Sequence, residues 1–182
     1  MRAILGDWEL GTIVQASSGH PVTVFNGDIP DLVNGISGTG LTANQRPNLV
    51  SGADCHSSGG TKEQFLNPAA FTLVGIPFGT FGNSPRGVCL GPGFFQTDLA
   101  FYKNIPLGGH VQGQFRFEIF NVFNRVNFTG LDTSLNPIDV TYNTGDASTA
   151  TSITAFTPSG SFGQAQGTRD PRQAQFGFKI TF

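Results

Sequence analysis

The chain has 182 residues, the length of one ordinary domain, of which 38% are hydrophobic and only 12% charged, about half the usual ~25%. A net charge of −2 with scattered arginines excludes an electrostatic footprint for nucleic acid. No run approaches the ~18 consecutive apolar residues of a membrane-spanning helix, and 25 glycines and 18 phenylalanines point to strands and turns.

The opening MRAILGDWEL holds a three-residue apolar run, far short of a secretory leader's core, so none is expected. The first predicted strand, 6–17, follows at once. Trp8, Leu10, Val14 and Ala16 share one parity with Thr12, and Glu9, Gln15 and Ser17 share the other, with Ile13 out of place. Residues 18–93 then read as one long loop rich in Gly, Asn, Ser, Thr and Pro. Within it, GISGTG (35–40) lacks the order of a dinucleotide fingerprint. Asp54, Cys55 and His56 form a ligand-like triplet without a second pair at zinc spacing. Cys55 and Cys89 read as a disulfide in an oxidising compartment and as two thiols otherwise.

The second strand, 94–105, sets Phe95, Leu99, Phe101 and Ile105 against Gln96, Asp98, Tyr102 and Asn104, with Lys103 the exception on the apolar parity. IPLGG (105–109) is a tight turn. The third strand, 110–123, sets Val111, Phe115, Phe117 and Ile119 against Gln112, Gln114, Arg116 and Glu118. Joining Asn104 to His110 places Asp98 opposite Arg116 as an ion pair, Leu99 opposite Phe115, and Phe101 over the bare backbone of Gly113. A shift of the register would bring Asp98 against Glu118, a like-charge contact. A second long loop, 124–171, contains the sequon-like NFT at Asn127–Thr129 and the charged turn TRDPR at 168–172. The last strand, 173–182, alternates without a break: Ala174, Phe176, Phe178, Ile180 and Phe182 against Gln173, Gln175, Gly177, Lys179 and Thr181.

Each strand is near the length of one that crosses a bilayer as part of a β-barrel, ~9–11 residues, with one tight turn on one side and long loops on the other. The expected fold is all-β, an antiparallel transmembrane β-barrel segment of four long strands and two long extracellular loops, an incomplete barrel. The apolar parity would face lipid and the polar parity a wet lumen, with the C-terminus periplasmic. His20, His56 and His110 stand far apart, and no grouping supports catalysis, so no enzyme and no cofactor are expected. A soluble extracellular β-rich glycan-binding module would need further strands to cover the apolar face, and a gene remnant is the remaining alternative.

The segments WELGTIVQASSGHPVTV, RPNLVSG, FLNPAAF, GTFGNSPRG, GPGFFQTDLAFYKNIPL, FRFEIFNVFNRVNF and FGQAQGTRDPRQAQFGFKITF occur in an order that resembles the C-terminal end of TonB-dependent outer-membrane receptors of the Oar-like group, which carry a carboxypeptidase-regulatory-like N-terminal domain. The resemblance covers nearly all of 1–182 and is weakest over about 132–160. It implies a plugged barrel of about 22 strands that takes up a scarce ligand across the outer membrane of a Gram-negative bacterium. This chain would be a fragment or truncated frame of such a receptor, without plug or TonB box and not transport-competent alone. Its implied partners are outer-membrane lipid, the remaining barrel and plug, and through the plug the TonB system. Phe178, Ile180 and Phe182 resemble the terminal signature read by the barrel-assembly machinery. On this reading Cys55 and Cys89 lie in an oxidising extracellular loop and pair.

Overall fold

A computed structural model describes residues 6–29, 45–57 and 64–182; GISGTG lies outside them. Twelve strands occur among the described residues: β1 (Trp8–Ser17), β2 (Pro21–Val22), β3 (Asn48–Leu49), β4 (Phe71–Thr72), β5 (Cys89–Leu90), β6 (Phe94–Gly108), β7 (Val111–Phe120), β8 (Phe128–Leu131), β9 (Asp139–Tyr142), β10 (Ile153–Thr157), β11 (Ala165–Thr168) and β12 (Gln173–Thr181). No α-helix accompanies them among the described residues. Among the described residues the one helical element is a single 3-10 turn, Pro68–Ala70, which the sequence writes as Asn-Pro: Asn67 Oδ1 accepts from Ala69 N at 3.1 Å, and Pro68 enters the first turn, where its missing N–H costs nothing.

The described chain divides into two compact units. One comprises the residues up to Ser18, Gly93–Phe128 and Thr168–Phe182; the other comprises Gly19–Pro92 and Thr129–Gly167. The first is a single four-stranded antiparallel sheet in the order β1-β6-β7-β12. Its strands are those the alternation marks, with altered ends. β6 runs on through Ile105 and Pro106 to Gly108, so the tight turn is not 105–109. The reversal falls at Gly108 (φ 107) and Gly109 (φ 60), left-handed positions that glycine fills without a Cβ clash. β7 stops at Phe120 rather than 123, because Asn121 (φ 50) turns the chain out of the sheet.

The pairing preserves parity through all four strands. Trp8 lies opposite Lys103, Leu99 opposite Ile119 and Phe176 opposite Phe117, so Trp8, Leu10, Val14, Phe95, Leu99, Phe101, Phe115, Phe117, Phe176 and Phe178 share one face. Register between β6 and β7 differs from the sequence expectation. Phe115 lies opposite Lys103, not Leu99, and Ile105, not Phe101, lies opposite Gly113. The longer β6, with an irregularity between Pro106 and Gly108, slides β7 along it by an even number of residues, which leaves the faces intact.

The second unit is built from the two segments that read as loops. Short antiparallel pairs, β2 with β5, β3 with β4 and β9 with β10, frame a core that includes Val24, Ile29, Leu66, Leu73, Leu135, Ile153 and Phe162, all buried. Phe71 meets Phe162 edge to face, with ring centroids 5.8 Å apart. The core residues are widely spaced among turn-formers, so no periodicity announces them.

Candidate functional site: the two faces of the long sheet

The four-stranded sheet inverts the burial rule that the second unit obeys. Its apolar face is exposed: Leu10 is 66% exposed, Phe176 70%, and Trp8, Val14, Phe178 and Ile180 are all more than half exposed. These side chains form a continuous surface. Phe101 stacks on Phe117 at 6.2 Å, Phe117 on Phe176 at 4.6 Å, and Phe176 reaches Phe115 at 6.1 Å, so one aromatic row crosses β6, β7 and β12. Phe178, rather than Phe101, covers the bare backbone of Gly113: a Cβ there would lie 3.1 Å from its ring. Lys103, the one cation in this row, is folded back. Its Nζ donates to the Gly6 carbonyl and sits 5.4 Å from the Trp8 ring centroid, two contacts that partly offset the cost of desolvating the ammonium at the end of the sheet.

The opposite face carries a hydrogen-bonded belt across all four strands. Asn104 Nδ2 donates to Glu9 Oε1 (3.2 Å), Gln114 Nε2 to Asn104 Oδ1 (2.8 Å) and Arg116 Nε to Gln114 Oε1 (2.7 Å). The Arg116 guanidinium lies 5.5 Å from the Tyr102 ring, whose hydroxyl donates to Glu118 Oε1 (3.1 Å); Gln175 Nε2 donates to the other Glu118 oxygen. Side chains thus link every neighbouring strand pair on the polar face.

Asp98 and Arg116 share this face but form no ion pair. Arg116 lies opposite Tyr102, and Asp98 has another task. Its Oδ1 accepts from the Asn121 backbone N–H and from Gln96 Nε2, each at 2.9 Å. The carboxylate satisfies the N–H left without a ladder partner where the left-handed Asn121 ends β7. Charge pairing and the covering of Gly113 do not register this demand, which arises only where β7 ends.

Three asparagines in NVFNRVN (121–127) complete that end. Asn121 Oδ1 accepts from Arg125 N (3.0 Å), and its Nδ2 donates to the Arg125 and Asp170 carbonyls. Asn124, also left-handed, accepts from Arg172 N (3.0 Å). Asn127 is buried and acts as a one-residue strand: Oδ1 accepts from Phe95 N (3.0 Å) and Nδ2 donates to Phe95 O (2.9 Å), while its carbonyl accepts from Arg169 N (2.8 Å). The sequon-like Asn127 is therefore a structural clip. The sequence marks Asn127 only as part of a sequon-like pattern and gives Asn121 and Asn124 no role; the recurrence of Asn directly after an alternating strand is the signal that could have found them. The clip holds TRDPR against the sheet and shapes a pocket of about 460 Å³ lined by Gln96, Phe120, Asn121, Arg169, Asp170, Pro171 and Gln173.

Cys55 and Cys89 are joined in the second unit, with Cα atoms 5.8 Å apart and Cys89 buried. His56 Nε2 lies 3.0 Å from the Leu90 carbonyl, so the residue after each cysteine also bridges the two segments, and Asp54 Oδ1 caps His56 N at 2.9 Å. Also in this unit, the Ser148 backbone N–H, helped by its hydroxyl, holds the Asp146 carboxyl below its ordinary pKa. Phe178 and Ile180 stand on the apolar face of β12, and Phe182 just past its end is 96% exposed.

A family model described as an outer membrane beta barrel domain matches residues 1–175. No curated protein and no solved structure matches the chain.

Proposed function

The chain belongs to the outer-membrane β-barrel domain family, and on that premise we propose that it supplies part of the wall of a TonB-dependent receptor, Oar-like in kind, that takes up a scarce ligand across the outer membrane of a Gram-negative bacterium. The observation that carries the wall reading is the exposed aromatic face of β6, β7 and β12 set against a polar belt on the reverse. In water that face would forfeit about 25 cal/mol per Å² of apolar area left unburied; against acyl chains it is at home, and the belt faces an aqueous lumen. β1 and β12 are the outer strands of the sheet among the described residues, and their outer edges pair with further strands of the barrel. The receptor identity rests on the ordered motifs. TonB coupling acts through plug and TonB-box elements that are not among the strands described, and the chain itself works without catalysis. Phe178, Ile180 and Phe182 serve as the signal for the assembly machinery.

Single cysteines test the wall reading. With Phe176→Cys and Gln175→Cys placed in turn in outer-membrane vesicles, a membrane-impermeant maleimide is expected to label position 175 and spare position 176. Deleting Phe182 should lower the yield of this protected form. Equal labelling at both positions, or recovery of the chain as a monodisperse monomer without detergent, counts against a membrane wall.

A further inference from the structure

The pocket clipped to the end of the polar face has a chemistry that the wall role leaves unused. It lies where β7 ends and β12 begins, since Phe120 is opposite Gln173, and this is the end from which both long excursions leave the sheet. We propose that it binds a neutral saccharide unit of a ligand entering the lumen. The proposal rests on the assignment of the polar face to the lumen and adds the ligand's chemical class.

Four observations support it. First, Phe120 is the aromatic of the polar parity at this position, is exposed, and stacks on no other ring among the described contacts. It offers an apolar plate to the C–H face of a pyranose. Second, the surrounding polar groups are planar and mixed in sense. Gln96 and Gln173 carry amides that both donate and accept, Arg169 only donates, and Asp170 only accepts. Adjacent ring hydroxyls, each donor and acceptor at once, match such a set. Third, the one cation and one anion of the lining cancel, which disfavours phosphate and other strong anions as well as strong cations. Fourth, three of the lining residues are anchored in advance, Arg169 and Gln96 by their side chains and Asp170 by its backbone. Arg169 has its guanidinium 4.7 Å from the Phe94 ring centroid and its N–H on the Asn127 carbonyl; the Asp170 carbonyl is tied to Asn121; and Gln96 is oriented by Asp98, with its own carbonyl oxygen left for a ligand. Pre-positioning lowers the entropic cost of binding. The volume, about 460 Å³, falls in the range of small-molecule sites.

The test uses the full chain in its membrane-inserted form, with saturation-transfer NMR and five probes: maltotriose, cellotriose, diacetylchitobiose, adenosine and glycylglycine. Transfer to the ring C–H protons of at least one saccharide is expected, with affinity at least tenfold weaker in both Phe120→Ala and Asp170→Asn and retained in Phe120→Tyr. No transfer to any saccharide, transfer unchanged by both variants, or transfer to adenosine or glycylglycine alone overturns the proposal. Maleimide labelling of the same preparation separates the two readings. Alternating labelling without saccharide transfer removes the pocket and leaves the wall, whereas uniform labelling removes the lumen premise and this proposal with it.

Discussion

Asn127 shows at the scale of one residue how the sheet ends. Its side-chain amide replaces a missing strand beside Phe95, making both hydrogen bonds that a backbone neighbour would make. Truncating a buried group of this kind leaves a backbone donor and acceptor unpaired, at about 1–3 kcal/mol for each orphaned group. Asn127→Ala is therefore expected to destabilise the sheet by about 2–6 kcal/mol, read as a shift in the urea midpoint of the detergent-folded chain. A shift below about 0.5 kcal/mol would show that Asn127 is no clip. Asp98 teaches the same lesson. Charge pairing suggested Arg116 as its partner, yet the carboxylate serves an N–H exposed by the turn at Asn121. The identity of Asp98 was visible in the sequence. The orphaned donor was not, because it exists only once β7 is known to stop at Phe120.

At the scale of the element, each long strand was legible because period-2 alternation over about ten residues leaves few other conformations. What alternation could not supply was register. Any even shift keeps every face intact, so the choice passed to the two positive-φ glycines of the hairpin and to the stacking of Phe101 on Phe117. The faces themselves make a sharp prediction. Phe117 lies in the middle of the aromatic row, between Phe101 and Phe176. An arginine on a lipid face near mid-depth costs about 2–4 kcal/mol, while one facing an aqueous lumen costs little. Phe117→Arg is expected to lose that much stability in lipid vesicles, and Gln114→Arg to lose less than about 1 kcal/mol. Equal losses would mean that the faces are wrongly assigned.

At the scale of the whole molecule, two physical regimes coexist in one chain. The unit built from Gly19–Pro92 and Thr129–Gly167 buries Leu66, Leu73, Ile153 and Phe162 as any water-soluble fold does, while the sheet exposes its aromatics. The disulfide belongs to the first regime. It closes a loop across a sequence separation of 34, worth ~4 kcal/mol on the chain-entropy account. Cys55→Ser is expected to make the second unit sensitive to limited proteolysis, with β6, β7 and β12 still protected in the membrane. Cleavage within those strands at the same protease dose would show that the sheet depends on the disulfide. The sequence by itself determined the all-β class, the four long strands and which parity of each is apolar, because a strand writes its two faces into every second residue. Only the tertiary structure decided the register, the partners of Asp98 and Arg116, the asparagine clip with its pocket, and the core inside the supposed loops. Those features depend on residues distant in the chain meeting at turns and unpaired backbone groups, and no local period records such meetings.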